Sequence, residues 1–210
     1  MERDLALVKL QKLIGEDLFC RADEYCVTTW INKDGSRKQN KGWFGHVIEH
    51  YLGLPQNSAQ SPNFGSWELK TTSLKTLKNG NIVPKETIAI TMIDPFEVAQ
   101  KEFENSHLFA KLKKLILVSR IVSDKFEDSG KVYSVNTFDL SNKVLLKEIK
   151  EDYDLIRNTL KDNNNDINCL SGRMGKWVQP RTKGAGHGEH SATRVERASL
   201  ACLGLQGAGS

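Results

Sequence analysis

A carboxylate and an ammonium group two residues apart, Glu68 and Lys70 in "WELKT" (67–71), have the spacing in this chain most suggestive of chemistry. Extended backbone sends alternate side chains to one face, so a strand here sets the two groups side by side. Such a pair, joined by further oxygen ligands, suits phosphodiester hydrolysis. Carboxylates hold a divalent cation that polarises phosphate and lowers the pKa of an attacking water, while the lysine stabilises the developing charge. Hard oxygen ligands favour Mg2+. Glu49 can bring a second carboxylate from a neighbouring element. The pattern also asks for an acid a few residues upstream of Glu68, and Asn63 stands there. An amide still offers a carbonyl oxygen to a metal, but the site loses one negative charge. Glu and Lys also alternate on ordinary solvated strand faces, so "ELK" by itself carries that duller reading too.

The elements that would position these groups follow an α/β order. Residues 4–14 repeat Leu5, Val8, Leu10, Leu13 and Ile14 at helical spacing. "INKDGSRKQNK" (31–41) reads as a polar, basic loop. "GWFGHVIEHYLGL" reads as a helix with Phe44, Val47, Ile48 and Tyr51 inward, ended by Gly53. The strand bearing Glu68 and Lys70 follows, then a turn at "KNGN" and a strand in "ETIAITMI". A helix is expected over 96–113, buried strands in "KLILVSRIV" and "KVYSVNTF", and an amphipathic helix in "VLLKEIKEDYDLIRNTL". "GKWVQPRTKGAGHG" gives a short strand and a Gly-rich basic loop.

At 210 residues the chain is long enough for one domain with a real core. Its net charge of +4 fits a nucleic-acid partner without requiring one. No apolar run reaches the roughly 20 residues of a membrane helix, and "MERDLALVKL" has no apolar signal region, so a cytoplasmic location is expected. Cys20, Cys26, Cys169 and Cys202 lack zinc-ligand spacing and read as free thiols. His46 and His50 stand one helical turn apart with no third ligand, which favours structural or surface histidines. Trp43 and Trp67 read as core. From Gly188 to Ser210 the composition changes abruptly, with no Lys, Asn, Asp or Ile. That segment is either foreign or out-of-frame sequence or a flexible tail, set apart from a domain spanning 1–187.

"KGWFGHVIEHYLGL", "PNFGSWELKT", "PKETIAITMIDP", "SHLFAKLKKLILV" and "GKWVQPRTKG" together resemble, in order and approximate spacing, the MutH-type mismatch-repair endonucleases and the related GATC-cutting restriction enzymes. The resemblance implies a PD-(D/E)xK restriction-endonuclease-like fold: a mixed central sheet flanked by helices, with a cleft for double-stranded DNA. It implies a site-specific, Mg2+-dependent DNA endonuclease of type II recognising GATC. Glu49 matches the assisting helix glutamate, Glu68 the metal-binding acid, Lys70 the strand lysine, and Lys111 a further lysine near the catalytic centre. Arg181 and Lys183 match a base-reading loop, where a cation facing guanine O6 and N7 gives the discrimination. Lys41 matches a residue on the DNA-facing side, where it would neutralise phosphate. Each also has a plain reading as surface charge. Asn63 departs from the family's metal-binding aspartate, and the spacer to Glu68 is shorter than in the mismatch-repair members. The 188–210 tail lacks the family's Arg/Tyr-bearing C-terminal segment. Two alternatives remain open: a catalytically dead, sequence-specific DNA-binding protein, and a repair nicking enzyme recruited by a mismatch-repair partner protein.

Overall fold

In the computed structural model the chain gathers into two compact units, each built from separated segments. Residues 1–59, 63–86 and 115–137 make the first, and 60–62, 87–114 and 138–210 the second. Residues 1–31, 35–54, 62–123, 130–183 and 195–200 are described, with 30, 37, 38, 182, 183 and 195–200 as backbone alone.

The chain runs α1 (Arg3–Gln11), α2 (Phe19–Glu24), β1 (Thr29–Ile31), β2 (Arg37–Gln39), α3 (Trp43–Tyr51), β3 (Glu68–Thr76), β4 (Ile82–Pro84) and β5 (Ile88–Met92). It continues through α4 (Pro95–Gln100), α5 (His107–Leu112), β6 (Lys114–Ile121), β7 (Val132–Asp139), α6 (Lys143–Asp162), β8 (Val178–Lys183) and β9 (Val195–Leu200). The class is mixed α/β. Where one central sheet was expected, the strands divide into a β1–β2 hairpin, a four-stranded sheet ordered β4-β3-β6-β7, and a three-stranded sheet ordered β5-β9-β8. In the four-stranded sheet β3 runs antiparallel to β4 and parallel to β6, so it is mixed.

The first unit's core joins α1, α3, β3 and β6 through Leu10, Trp43, Val47, Ile48, Leu69 and Ile116. Trp43 and Trp67 are both 0% exposed, as core residues should be. The buried face of α1 differs from the expected one. Ala6 and Leu10 point inward, with Leu13 following, while Leu5 and Val8 are 54% and 53% exposed. Two apolar stripes compete on that short helix, and the one with the small alanine packs. The polar 31–41 segment contributes a short strand pairing rather than loop alone, with Thr29 opposite Gln39.

In the second unit the helix expected over 96–113 is broken. Asp94 caps α4 by accepting from the Phe96 and Glu97 amides, with Pro95 in the first helical position. Lys101 then turns extended, a 3-10 turn spans Phe103–Asn105, and Ser106 caps α5 by accepting from Phe109 N. Helix α6 buries Ile149, Tyr153, Ile156 and Leu160 as its periodicity predicts. Of the compositionally distinct tail, Val195–Leu200 forms β9, paired antiparallel with β5 and β8. The rest of 188–210 lies outside the described residues. Cys20, Cys26 and Cys169 are free thiols, and no helix among the described residues is long and apolar enough to cross a membrane.

Candidate active site

Helix α3 places Glu49 by its two ends. At its start, buried Asn40 donates from Nδ2 to Val27 O at 2.7 Å and accepts from Gly42 N at 2.9 Å, which fixes the amide's orientation. The same Nδ2 stands 2.9 Å from His46 Nδ1, which must therefore accept and leave the proton on Nε2. Burial lowers the His46 pKa, which also favours the neutral ring. His50 stacks on Tyr25 at 3.9 Å. Among the described residues no group of three or more His, Cys, Asp and Glu is arranged to hold a metal.

At its far end α3 closes in a Schellman motif. Gly53, at φ +75°, donates to His50 O, and Leu54 donates to Glu49 O, both at 2.9 Å. Along its length the helix lies close to β3, since a Cβ on Gly45 would come within 3.3 Å of Thr71 Oγ1. A half-buried guanidinium adds a third restraint. Arg120, on β6, lies over the Trp43 and Phe44 rings at 5.0 and 4.8 Å and donates from Nε to Ser73 Oγ at 3.3 Å. Burial draws its pKa down to about 10, so it is still charged at neutral pH.

Strand β3 supplies the other groups. Glu68 is 1% exposed, and Lys70 Nζ lies 2.7 Å from its Oε1, as the two-residue spacing requires. The turn before β3 brings Asn63 back over the carboxylate. Phe64 stacks on Trp67 at 3.8 Å, Gly65 adopts φ +75°, and Phe64 N donates to Trp67 O at 3.1 Å. The backbone N–H of Asn63 donates to Glu68 Oε2 at 2.9 Å.

The Asn63 side chain lies between two acids. One end of its amide is 2.8 and 3.1 Å from the Glu68 oxygens, and the other is 3.5 Å from Glu49 Oε1. An amide oxygen facing a carboxylate is repelled, so the NH2 is the end turned to Glu68. Burial raises the Glu49 pKa, Lys70 opposes this, and Glu68 adds to it. Glu49 is therefore a carboxyl that holds its proton more tightly than usual.

Glu49, Asn63, Glu68 and Lys70 thus come together in the first unit. Two carboxyl groups and an amide oxygen are hard donors of the kind a divalent cation takes, one charge short of a three-acid site. Lys41 is exposed immediately before α3. The other expected residues belong to the second unit: Lys111, 8% exposed, in the last turn of α5, and Arg181, exposed on β8. Lys183 ends β8, and its side chain lies outside the described residues.

Sequence reasoning missed Asp152 of α6, which is buried and accepts from three successive backbone N–H groups, Lys176 at 2.9 Å, Trp177 at 2.6 Å and Val178 at 2.9 Å. Its signal was an acid on the helix's apolar stripe, beside Tyr153 and between Ile149 and Ile156.

A family profile described as MutH, DNA mismatch repair enzyme MutH, matches residues 52–154. The span holds Asn63, Glu68, Lys70 and Lys111. The type II restriction enzyme Sau3AI of Staphylococcus aureus is 27% identical over 159 residues, 74% of this chain and 32% of that enzyme. The DNA mismatch repair protein MutH of Shewanella woodyi is 26% identical over 148 residues, 70% of this chain and 62% of that protein. The chain thus spans 32% and 62% of these two curated relatives. Over these stretches the chain is similar to MutH-like endonucleases.

Proposed function

We propose that the protein acts on double-stranded DNA as a site-specific endonuclease of the type II restriction class, with Mg2+ as cofactor and GATC as target, and that Asn63 slows its cleavage. The observation that carries this reading is the Asn63 amide lying between the carboxylates of Glu49 and Glu68, beside Lys70. Glu68 and the Asn63 carbonyl oxygen would hold the magnesium ion, with Glu49 assisting; when bound it polarises phosphate and acidifies a water. Lys70, partly exposed, offers its ammonium to a phosphate oxygen. Asn63 donates to Glu68 from its backbone N–H and from its amide, and Lys70 pairs with the same carboxylate, so Glu68 is satisfied without a metal ion. The site therefore binds DNA better than it turns it over. Lys41 neutralises phosphate, and Arg181 and Lys183 read bases. Such a protein acts in the cytoplasm.

The same amide favours a second reading, a DNA-binding protein without catalysis. A mismatch-repair nicking enzyme working with a partner protein is the third, resting on the name of one relative. Plasmid cleavage with Mg2+, beside gel-shift in Ca2+, separates them. The first reading expects slow, Lys70-dependent cutting at GATC that Asn63→Asp accelerates by orders of magnitude. Tight binding with no cutting by either protein supports the second. Cutting of one strand only, stimulated by a repair partner, supports the third.

A further inference from the structure

The acid pair on α6 has no part in the chemistry at Glu68, yet it is heavily engaged. Asp152 accepts all three consecutive N–H groups of Lys176, Trp177 and Val178, the turn that opens β8. One helical turn away, Glu148 accepts from Lys176 Nζ at 2.8 Å and from Trp177 Nε1 at 2.6 Å. Five donors from three adjacent residues therefore end on two carboxylates of one helix face. Gly175 allows the turn, with φ +78° and Val178 O where a Cβ would sit.

A chain of hydrogen bonds leads outward from that turn. Gln179 Nε2 donates to Gly175 O at 3.1 Å, which commits the other end of its amide to accepting. Gln179 Oε1 then accepts from Arg181 Nη2 at 2.6 Å. Gly172 flanks the same guanidinium, for a Cβ there would lie 3.3 Å from Arg181 Nη1. An exposed arginine ordinarily samples many rotamers, and ordering it on binding costs free energy. Here the guanidinium is oriented in advance. We infer that Asp152 and Gln179 are positioning residues that aim Arg181, and that they set sequence discrimination rather than affinity for DNA in general. The inference rests on the proposed reading of Arg181 as a base-contacting residue.

A bidentate arginine–guanine contact discriminates between bases only when the fork meets O6 and N7 in register. Loss of its orientation should forfeit part of that, roughly a tenfold fall in selectivity. Phosphate contacts, which tolerate a swinging side chain, should be spared.

The full chain is incubated in Ca2+ with a duplex pool randomised at its centre, and the bound fraction is sequenced. Asp152→Asn leaves one acceptor oxygen for three N–H groups. Gln179→Leu, at a half-exposed strand position, removes the relay while keeping its bulk, and covers the case in which the Asp152 variant fails to fold. The Trp177 indole N–H resonance reports whether the turn itself is intact. Expected for Gln179→Leu are an unshifted Trp177 signal, unchanged affinity for the unselected pool, and roughly tenfold weaker enrichment of the preferred site. Asp152→Asn, where folded, should give the same loss with a shifted Trp177 signal. Enrichment by Gln179→Leu equal to that of the unaltered chain would overturn the relay while leaving the base-reading role of Arg181 standing. If the unaltered chain enriches no site, that role fails and takes the inference with it.

Discussion

Replacing Asn63 by aspartate exchanges an NH2 group 2.8 and 3.1 Å from the Glu68 oxygens for a third anionic oxygen. Two unit charges about 3 Å apart repel by about 5 kcal/mol at an effective dielectric constant of about 20. The second aspartate oxygen meets Glu49, now 3.5 Å from the amide, with a repulsion of similar size. Lys70 offsets one of these. The remaining 5 kcal/mol or so amounts to several pH units, at about 1.4 kcal/mol each. Without metal, one carboxyl of the cluster keeps its proton well above the ordinary carboxylate range. Its folded-state pKa is raised, so stability is greatest in acid and declines as pH rises through that raised value. Magnesium removes the conflict. At about 100 times its Kd it stabilises the folded state by about 2.7 kcal/mol, or roughly 5–10 °C in a chain of this size. Differential scanning fluorimetry at pH 8, with EDTA and with Mg2+, tests this directly. Asn63→Asp should melt below the unaltered protein in EDTA and recover with Mg2+, while the unaltered protein shifts by a degree or two at most. Equal magnesium shifts in the two proteins would refute the assignment of position 63 to a metal site.

Four further outcomes follow from the geometry. Glu49 has a raised pKa, so its contribution to stability is full in acid and lost as pH climbs above the ordinary carboxylate value; Glu49→Gln should flatten that part of a stability–pH curve from urea melts. Arg120→Lys keeps the charge but loses the planar stack on Trp43 and Phe44 and the bond to Ser73, and should cost about 1–3 kcal/mol in chemical denaturation. Gly53→Ala forces a side chain into φ +75° and should cost about 1 kcal/mol by the same measurement, loosening the end of α3 that carries Glu49. Lys41→Ala should weaken binding alike on all duplexes and lower the slope of log affinity against log salt by about one, read by fluorescence anisotropy.

The parts of the site written in local periodicity were legible. Helical spacing located α3 and α6, and the two-residue alternation put Lys70 against Glu68 because one β face leaves no other arrangement. What failed needed information from elsewhere in the chain. A single helix over 96–113 satisfies apolar spacing, but the Ser106 hydroxyl competes for a backbone N–H and starts a new helix there. The face of α1 turned on whether Ala6 or Leu5 fits beneath the core, which no helix can specify alone. Asn63 was placed in the cluster by position, yet its role as a donor between two acids depends on the turn folding back through the Phe64–Trp67 stack. Asp152 stayed hidden because its partners are backbone amides, which carry no sequence signature.

The parallel register of β3 and β6 has a bearing on synthesis. Glu68 pairs with Leu115 and Lys70 with Leu117, so the strand that carries both candidate site residues has its parallel neighbour far downstream. The intervening 87–114 belongs to the other unit. A nascent chain therefore exposes the Glu68–Lys70 strand without its main sheet partner until translation has passed residue 121 and that stretch has cleared the ribosome. Such non-local parallel pairing is slow to form. The sheet that carries the acid cluster is therefore completed only after that point. A release factor or stop codon acting before that point would yield a fragment holding every proposed metal ligand but no scaffold to gather them.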